Sequence, residues 1–239
     1  MNYTDVFIDF DDTLYDTHGN AVIALQELFG QFQLSRYFTN PDRFYDAYWK
    51  ANYDLWHQYA LGQVERDYLV VERFRRPLSA GFTPQGTAFE PSESLCREIG
   101  DAFLELCADK PGVVEGAHRL MQHLKQRGYR THMCSNGFHE VQYRKLRASG
   151  LDNYFDTVVL SEDAGANKPS SEYFDYAFRM THARPSTTVM IGDNISTDII
   201  GAHQAGIHTI FFNRFNLEHP SNSIADVEVR SLDEICGIL

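Results

Sequence analysis

The chain has 239 residues and a formal net charge of -12 at pH 7, from 21 basic and 33 acidic side chains. Hydrophobic residues make up 43% and charged residues 23%, an ordinary globular composition that excludes a disordered or collagen-like chain. An acidic chain repels phosphate backbones and anionic lipid, so a nucleic acid polymer and a membrane are poor partners. A small molecule is the better candidate, and an acidic enzyme that handles anions needs a local positive charge such as a metal ion.

The ends and cysteines of the chain carry little targeting or metal-binding signal. The N-terminal stretch MNYTDVFIDF lacks a basic segment followed by an apolar run, so it does not resemble a signal peptide. No stretch approaches the roughly 18 apolar residues of a membrane-spanning helix. The four cysteines show no CxxC spacing, which argues against a zinc site. We expect a cytoplasmic protein; its oligomeric state is left open, and a monomer is plausible.

Short apolar runs alternate with helical patterns along most of the chain. Strands are predicted at residues 6–8, 129–134, 157–160, 188–191, 208–212 and 227–229. One helix is predicted directly before the second strand, at residues 113–127, and others between the later strands, at residues 139–148, 172–181 and 197–205. This alternation predicts an α/β fold, a Rossmann-like parallel sheet with helices on both faces.

Residues 17–110 break the alternation, because they carry helical periodicity and almost no strand signal. Both tryptophans, Trp49 and Trp56, lie here at helical spacing. We predict that this stretch is an all-helical cap domain, inserted after the first strand into a core domain of residues 1–16 and 111–239. Its aromatic residues are expected to form mainly a small helical core, with the lining of a pocket as the alternative.

The most informative segment is Asp-Phe-Asp-Asp-Thr-Leu at residues 9–14, directly after the first predicted strand. It places Asp9, Asp11 and Thr13 at the carboxyl end of a parallel strand, where open α/β sheets bind ligands. A helix cap or turn cluster is the alternative, because Asp and Thr favour both. An EF-hand is a poor fit, since Leu14 stands where that loop needs Gly.

Three later strands are also followed by polar residues. Ser135 and Asn136 follow the second strand, where a hydroxyl and nearby backbone amides suit an anion. Lys168 lies beyond the third strand, and Asp193 and Asp198 follow the fourth. Singly, each has an ordinary explanation as a turn, a surface charge or a helix cap. Together they predict one crevice suited to phosphoryl transfer, because the ends of parallel strands converge.

With these four segments in this order, the chain resembles the haloacid dehalogenase superfamily, in its phosphatase type with a helical type-1 cap. The resemblance covers the predicted core, and residues 167–174 and 192–207 are similar to the branch containing pyrimidine 5'-nucleotidases. It implies an Mg²⁺-dependent phosphatase that hydrolyses a small phosphate monoester through an aspartyl-phosphate intermediate. A nucleoside 5'-monophosphate is one candidate substrate, and the cap is expected to close over it.

The resemblance implies that Asp9 is the nucleophile and also a ligand of Mg²⁺. Asp11 would be the general acid and then the base that activates water, with its backbone carbonyl touching the metal, while Asp193 would be a direct carboxylate ligand. Burial under the closed cap is expected to favour the neutral form of Asp11. An acid at this position argues against dehalogenation, because dehalogenases of the superfamily lack it. Asp12 departs from the pattern, since many members have Gly there.

The remaining motif residues are implied to bind phosphate or to support the site. Ser135 would hold the phosphate with its hydroxyl, helped by the backbone amides near Asn136, and Lys168 would neutralise both the nucleophile and the phosphate. Thr13 would brace the nucleophile loop. Asp198 would support the site without binding the metal directly.

Two other functions remain compatible with these residues. A phosphomutase acting on a sugar phosphate would use Asp9 and Asp11 in the same way, but would pass the phosphoryl group to substrate instead of water. A non-catalytic protein that binds a phospholigand would share the fold, although it would not require both carboxylates. The residues leave these alternatives open, together with the physiological substrate and the cap residues that select it.

Overall fold

The computed structural model describes residues 2–218 and 224–239, so residue 1 and residues 219–223 of the predicted core domain lie outside the described residues. The chain divides into two units. One unit is made of Met1–His18 and Lys110–Leu239, and the other of Gly19–Asp109. Among the described residues, no helix is both long and apolar enough to cross a lipid bilayer.

The first unit contains a six-stranded parallel sheet with the strand order β3-β2-β1-β4-β5-β6. The strands are β1 (Asp5–Ile8), β2 (Arg130–Ser135), β3 (Thr157–Leu160), β4 (Thr188–Gly192), β5 (His208–Phe212) and β6 (Val227–Val229). The predicted strands are confirmed within one residue at each end. β1 lies between β2 and β4, and Phe7 is in register with His132 on one side and Met190 on the other.

The second unit is helical. Its helices are α1 (Thr17–Gln31, which begins in the first unit), α2 (Pro41–Ala60), α3 (Arg66–Leu78) and α4 (Glu93–Ala108). The Asn40 side chain caps α2 by accepting a hydrogen bond from Asp42 N at 3.0 Å. Phe44, Tyr48 and Phe74 are buried in the core of this unit. The predicted helical core of aromatic residues is therefore present.

Six further α-helices lie in the described part of the first unit. They are α5 (Ala117–Gln126), α6 (His139–Ala148), α7 (Ser161–Ala164), α8 (Ser171–Thr181), α9 (Ile200–Gln204) and α10 (Leu232–Ile235). These helices lie on both faces of the sheet. Alternate β1 side chains point to opposite faces, and each set packs against different helices. Val6 and Ile8 share a buried cluster with Leu120 of α5, whereas Phe7 shares one with Phe174 of α8. The predicted fold class is confirmed.

Two predicted helix bounds in this unit are wrong. The helix expected from residue 113 begins only at Ala117, because Val113 forms an antiparallel bridge with Tyr15 and Val114 N donates to Leu14 O at 2.8 Å. The segment expected as a helix over 197–205 is a π-helical turn, Ile195–Ile199, followed by α9. Long-range pairing in the first case and a capped loop in the second override the helical periodicity.

Candidate active site

The loop after β1 is a tight turn that begins by extending the sheet. Asp9 N donates to Ile191 O at 2.9 Å, which continues the parallel pairing one residue beyond β1. Leu14 N and Tyr15 N then both donate to Phe10 O, at 3.0 and 2.9 Å. The turn holds Asp9 at the carboxyl end of the strand, as the sequence predicts.

Asp12, which departs from the glycine that the family resemblance implies, adopts an unusual backbone conformation in this turn. Its φ of 61° lies in the left-handed region, which Asp tolerates better than most residues. Its carboxylate accepts hydrogen bonds from His18 N at 2.9 Å and from Arg214 Nη1 at 3.1 Å. These contacts stabilise the turn, so the departure from glycine leaves the loop geometry intact.

A buried lysine joins three of the strand ends. Lys168 is 1% exposed, and its Nζ lies 2.6 Å from Asp9 Oδ1, 2.7 Å from Asp198 Oδ1 and 2.7 Å from Cys134 O. Burial lowers the pKa of Lys168, but the two carboxylates outweigh it and raise the pKa. The ammonium therefore stays charged. We call Lys168, Asp9 and Asp198 the Lys168 cluster.

The loop after β2 fixes the backbone of that lysine. Asn136 Oδ1 accepts from Lys168 N at 2.8 Å, and Asn136 Nδ2 donates to Lys168 O at 3.0 Å. The Asn136 side chain thus holds the lysine loop, which sequence reasoning did not foresee. Phosphate binding by the backbone amides near Asn136 stays a prediction. Ser135 is 1% exposed, and Gly137 N donates to its Oγ at 3.0 Å.

Three carboxylates gather at the same edge of the sheet. Asp9, Asp193 and Asp198 each place an oxygen within 4.8 Å of the others. The Thr13 hydroxyl lies 3.1 Å from Asp9 Oδ2 and 3.3 Å from Asp193 Oδ1, so it braces both. Asp198 is 1% exposed and accepts from Asn194 N at 3.1 Å and from Thr197 Oγ1 at 3.2 Å as well as from Lys168. Asp198 is therefore the most fully hydrogen-bonded of the three.

The charge of this acidic group is not balanced by Lys168. Burial raises the pKa of Asp9 to about 7 against the opposing effect of Lys168, with Asp198 and Asp11 adding to the rise. Burial and the charges of Asp9 and Asp198 raise the pKa of Asp193 well above its usual value. A divalent cation relieves such repulsion, and oxygen donors are those that Mg²⁺ prefers. The residues present fit a magnesium ion.

Asp11 points into a second set of contacts. Its Oδ1 accepts from Thr17 Oγ1 at 2.6 Å and from Lys145 Nζ at 2.5 Å. Its Oδ2 accepts from Gln142 Nε2 at 2.5 Å and from Ser135 Oγ at 3.5 Å. Sequence reasoning missed Thr17, Gln142 and Lys145. The available signal was the polar pair three residues apart on α6, directly after the Ser-Asn-Gly turn. We call Asp11, Gln142 and Lys145 the Lys145 cluster.

The contacts around Asp11 in this structure favour its charged form, whereas its neutral form under a closed cap stays a prediction. Burial raises the pKa of Asp11, but the charge and hydrogen bond of Lys145, followed by the hydrogen bonds of Thr17 and Gln142, outweigh burial. The pKa of Asp11 is therefore lowered, and the carboxylate is held charged in this structure. The expectation considered burial without an ammonium at 2.5 Å.

The chain matches the family model of haloacid dehalogenase-like hydrolases over residues 6–206. It is 32% identical over 238 residues to YfnB of Bacillus subtilis (strain 168), which is named as a HAD-hydrolase, with 99% of this chain and 95% of YfnB covered. It is 29% identical over 240 residues to the pyrimidine 5'-nucleotidase YjjG of Escherichia coli (strain K12), with 100% of this chain and 99% of YjjG covered.

Two further comparisons agree. The pyrimidine 5'-nucleotidase PynA of Streptococcus pneumoniae (strain ATCC BAA-255 / R6) is 27% identical over 240 residues, covering 100% of this chain and 96% of PynA. A crystal structure of YfnB bound to magnesium matches with a TM-score of 0.86 at 28% identity, covering 100% of this chain and 99% of YfnB. The chain belongs to the haloacid dehalogenase-like hydrolase family.

Proposed function

We propose that the protein is an Mg²⁺-dependent phosphatase that hydrolyses a small phosphate monoester through an aspartyl-phosphate at Asp9. The observation that carries the proposal is the Lys168 cluster. A buried ammonium lies 2.6 Å from the candidate nucleophile, beside an acidic group that fits a divalent cation. That combination suits a phosphate group, since it offers positive charge to the equatorial oxygens and a carboxylate to the phosphorus.

In the first step, a carboxylate oxygen of Asp9 attacks the phosphorus and the ester P–O bond breaks. Asp11, which is charged in the unliganded structure, takes up a proton when the negative phosphate binds beside it. It then donates that proton to the leaving oxygen, so the alcohol departs neutral. Lys168 and the Ser135 hydroxyl hold the phosphate oxygens, together with the backbone amides beside Asn136. The Asp9 and Asp193 carboxylates and the Asp11 carbonyl would hold Mg²⁺, which would supply positive charge to offset the negative charge of the phosphate.

In the second step, water attacks the phosphorus of the aspartyl-phosphate. Asp11 takes the proton of that water, the bond between phosphorus and Asp9 breaks, and inorganic phosphate leaves. Asp198 keeps Lys168 in place through the 2.7 Å contact between Asp198 Oδ1 and Lys168 Nζ. Thr13 holds Asp9 through its hydroxyl. Both supporting roles use contacts that need no substrate.

For the substrate we propose a nucleoside 5'-monophosphate. In support, two relatives that match along the whole of this chain are named pyrimidine 5'-nucleotidases. We also propose that the helical unit Gly19–Asp109 is the cap domain that selects the leaving group. The core domain then corresponds to the unit that carries the sheet.

The test is phosphate release from a panel of nucleotides, sugar phosphates, small acid phosphates and an aryl phosphate. Each compound is measured with Mg²⁺ and with EDTA, and with Asp9→Asn protein as the matched control. We expect metal-dependent turnover that favours pyrimidine monophosphates and is lost in the variant. No turnover of any compound, the aryl phosphate included, would overturn the phosphatase proposal. Equal turnover of sugar phosphates and nucleotides would overturn the substrate proposal alone.

A further inference from the structure

We propose that Gln142 and Lys145 of α6 are positioning residues that hold the carboxylate of Asp11 beside the phosphate-binding hydroxyl of Ser135. The inference deepens the proposed function and rests on it. The general acid would then be placed from two sides, by the loop after β1 and by a helix that follows a different strand. The efficiency of proton transfer to the leaving oxygen would depend on α6.

The first observation is that Gln142 and Lys145 each bind a different oxygen of the Asp11 carboxylate. Gln142 and Lys145 lie three residues apart, so they share one face of α6. Gln142 Nε2 donates to Asp11 Oδ2, while Lys145 Nζ donates to Asp11 Oδ1, each at 2.5 Å. With both oxygens held, rotation of the carboxylate breaks at least one contact.

Gln142 also joins the acid to the predicted phosphate site. Its Nε2 lies 2.6 Å from Ser135 Oγ as well as 2.5 Å from Asp11 Oδ2. The side chain is fully buried, and a Cβ added at Gly137 would collide with its amide. The glycine of the Ser-Asn-Gly turn therefore makes room for Gln142. One amide consequently sets the distance between acid and hydroxyl.

The burial pattern favours a functional role over a purely structural one. Gln142 Oε1 is buried and has no hydrogen-bond partner among the described residues, a cost that an apolar side chain would avoid. The Lys145 side chain is 9% exposed, but its partner Asp11 keeps 29%. The contact is closed on the helix side and open at the carboxylate. This suits a carboxylate that must still reach a substrate.

The experiment compares kcat and KM of Gln142→Met and Lys145→Met protein with wild type, using an alkyl phosphate and an activated aryl phosphate. Arg147→Met, which removes an exposed cation from the same helix, is the matched control. We expect kcat/KM, which reports the step that cleaves the ester, to fall about 10- to 100-fold for the alkyl ester and less than about threefold for the aryl ester, because a good leaving group needs no acid. KM should change little, and Lys145→Arg should recover part of the loss.

A double-mutant cycle supplies a readout that a general structural defect would not mimic. In an Asp11→Asn background, Lys145→Met should cause no further loss, since the residue acts through Asp11. Additive losses would overturn the proposal. So would an unchanged or increased kcat/KM in both single variants, or a raised KM with unchanged kcat, which would mean that Lys145 binds substrate directly.

The result also separates this inference from the proposed function. Wild-type turnover that vanishes in Asp9→Asn protein supports the phosphatase whatever the α6 variants do. If wild-type protein hydrolyses no ester, both proposals fall together. Thermal unfolding identifies a variant that fails to fold. If Lys145→Met protein does not fold, the kinetic comparison is made with Gln142→Met protein alone. Equal losses for the alkyl and aryl esters in a folded variant would overturn the positioning role.

Discussion

The Lys168 cluster and the Lys145 cluster use the same pair of residue types with opposite results. Lys168 is shared between Asp9 and Asp198, and burial raises the pKa of Asp9 to about 7 despite the lysine. Burial also raises the pKa of Asp11, but Lys145 and its neighbours outweigh it and lower the pKa. The difference lies in how many carboxylates share each ammonium, so burial alone does not set the charge of either aspartate.

The largest expected effect is the loss of activity on substitution of Asp9 in the Lys168 cluster. Asp9→Asn removes the nucleophile and should lower kcat/KM for any phosphate ester by about 10⁴-fold or more, because no acyl phosphate can form. Phosphate release at saturating Mg²⁺ measures it, and the Asn side chain keeps the volume of the site. Residual activity above about one hundredth of wild type would remove Asp9 from its proposed role.

The second prediction compares the two lysines in stability. Lys168→Met leaves two buried carboxylates without their ammonium and should cost about 3–5 kcal/mol of unfolding free energy. Lys145→Met should cost only about 1–3 kcal/mol, since Asp11 keeps two other donors and is partly exposed. Urea unfolding in EDTA gives both values. A larger loss for Lys145→Met would contradict our account of the two clusters.

Addition of Mg²⁺ should increase the difference between the two clusters, because the proposed metal site adjoins the Lys168 cluster and not the Lys145 cluster. At 100 times its dissociation constant, Mg²⁺ should add about 2.7 kcal/mol to the unfolding free energy. Asp193→Asn should abolish most of that gain. Thermal unfolding with Mg²⁺ and with EDTA measures it. A wild-type-sized gain in the Asp193→Asn protein would show that the ion binds elsewhere.

The smallest effect concerns a buried pair at the amino end of the sheet, away from both clusters. Burial lowers the pKa of His132, although Asp5 at 3.0 Å opposes this. Burial raises the pKa of Asp5, but hydrogen bonds from Thr4, His132 and Arg130 outweigh it and lower the pKa. Both native groups thus bind protons less readily than in the unfolded chain, where the values are about 6.5 and 3.9.

Stability should therefore fall as pH drops below about 6.5, through His132, and again below about 4, through Asp5. His132→Gln removes the first decrease while keeping a donor for Asp5. Melting temperatures measured between pH 7 and pH 5 test this, with wild type as the reference. An unchanged slope in the variant would mean that another group causes the decrease.

The Lys168 cluster could be predicted from sequence because its members follow strands. The carboxyl ends of neighbouring parallel strands meet at one edge whatever the details of packing, so Asp9, Lys168 and Asp198 converge without further information. The sheet could also be predicted from the sequence, because its strands are recognisable from their local pattern. Short, mainly apolar runs of three to six residues between helical segments leave few alternatives.

The Lys145 cluster could not be predicted in that way. Gln142 and Lys145 belong to a helix whose rotation about its axis depends on packing against the sheet, and polar side chains on a helix usually face solvent. The role of Asn136 was missed for a related reason. Its two hydrogen bonds reach a loop 32 residues further along the chain. Local sequence carries no trace of such pairing.

The position of β1 in the sheet has a consequence for synthesis of the protein. Val6 pairs with Thr131 and Val189, so its partners lie about 125 and 183 residues further along the chain. At about 5–20 residues per second, an apolar strand waits roughly 6–25 seconds on the ribosome before its first neighbour is made. The intervening helices form contacts over much shorter separations and can fold during that interval. β1 then has no partner strand throughout that interval, so slower translation of residues 19–129 should raise aggregation of the nascent chain.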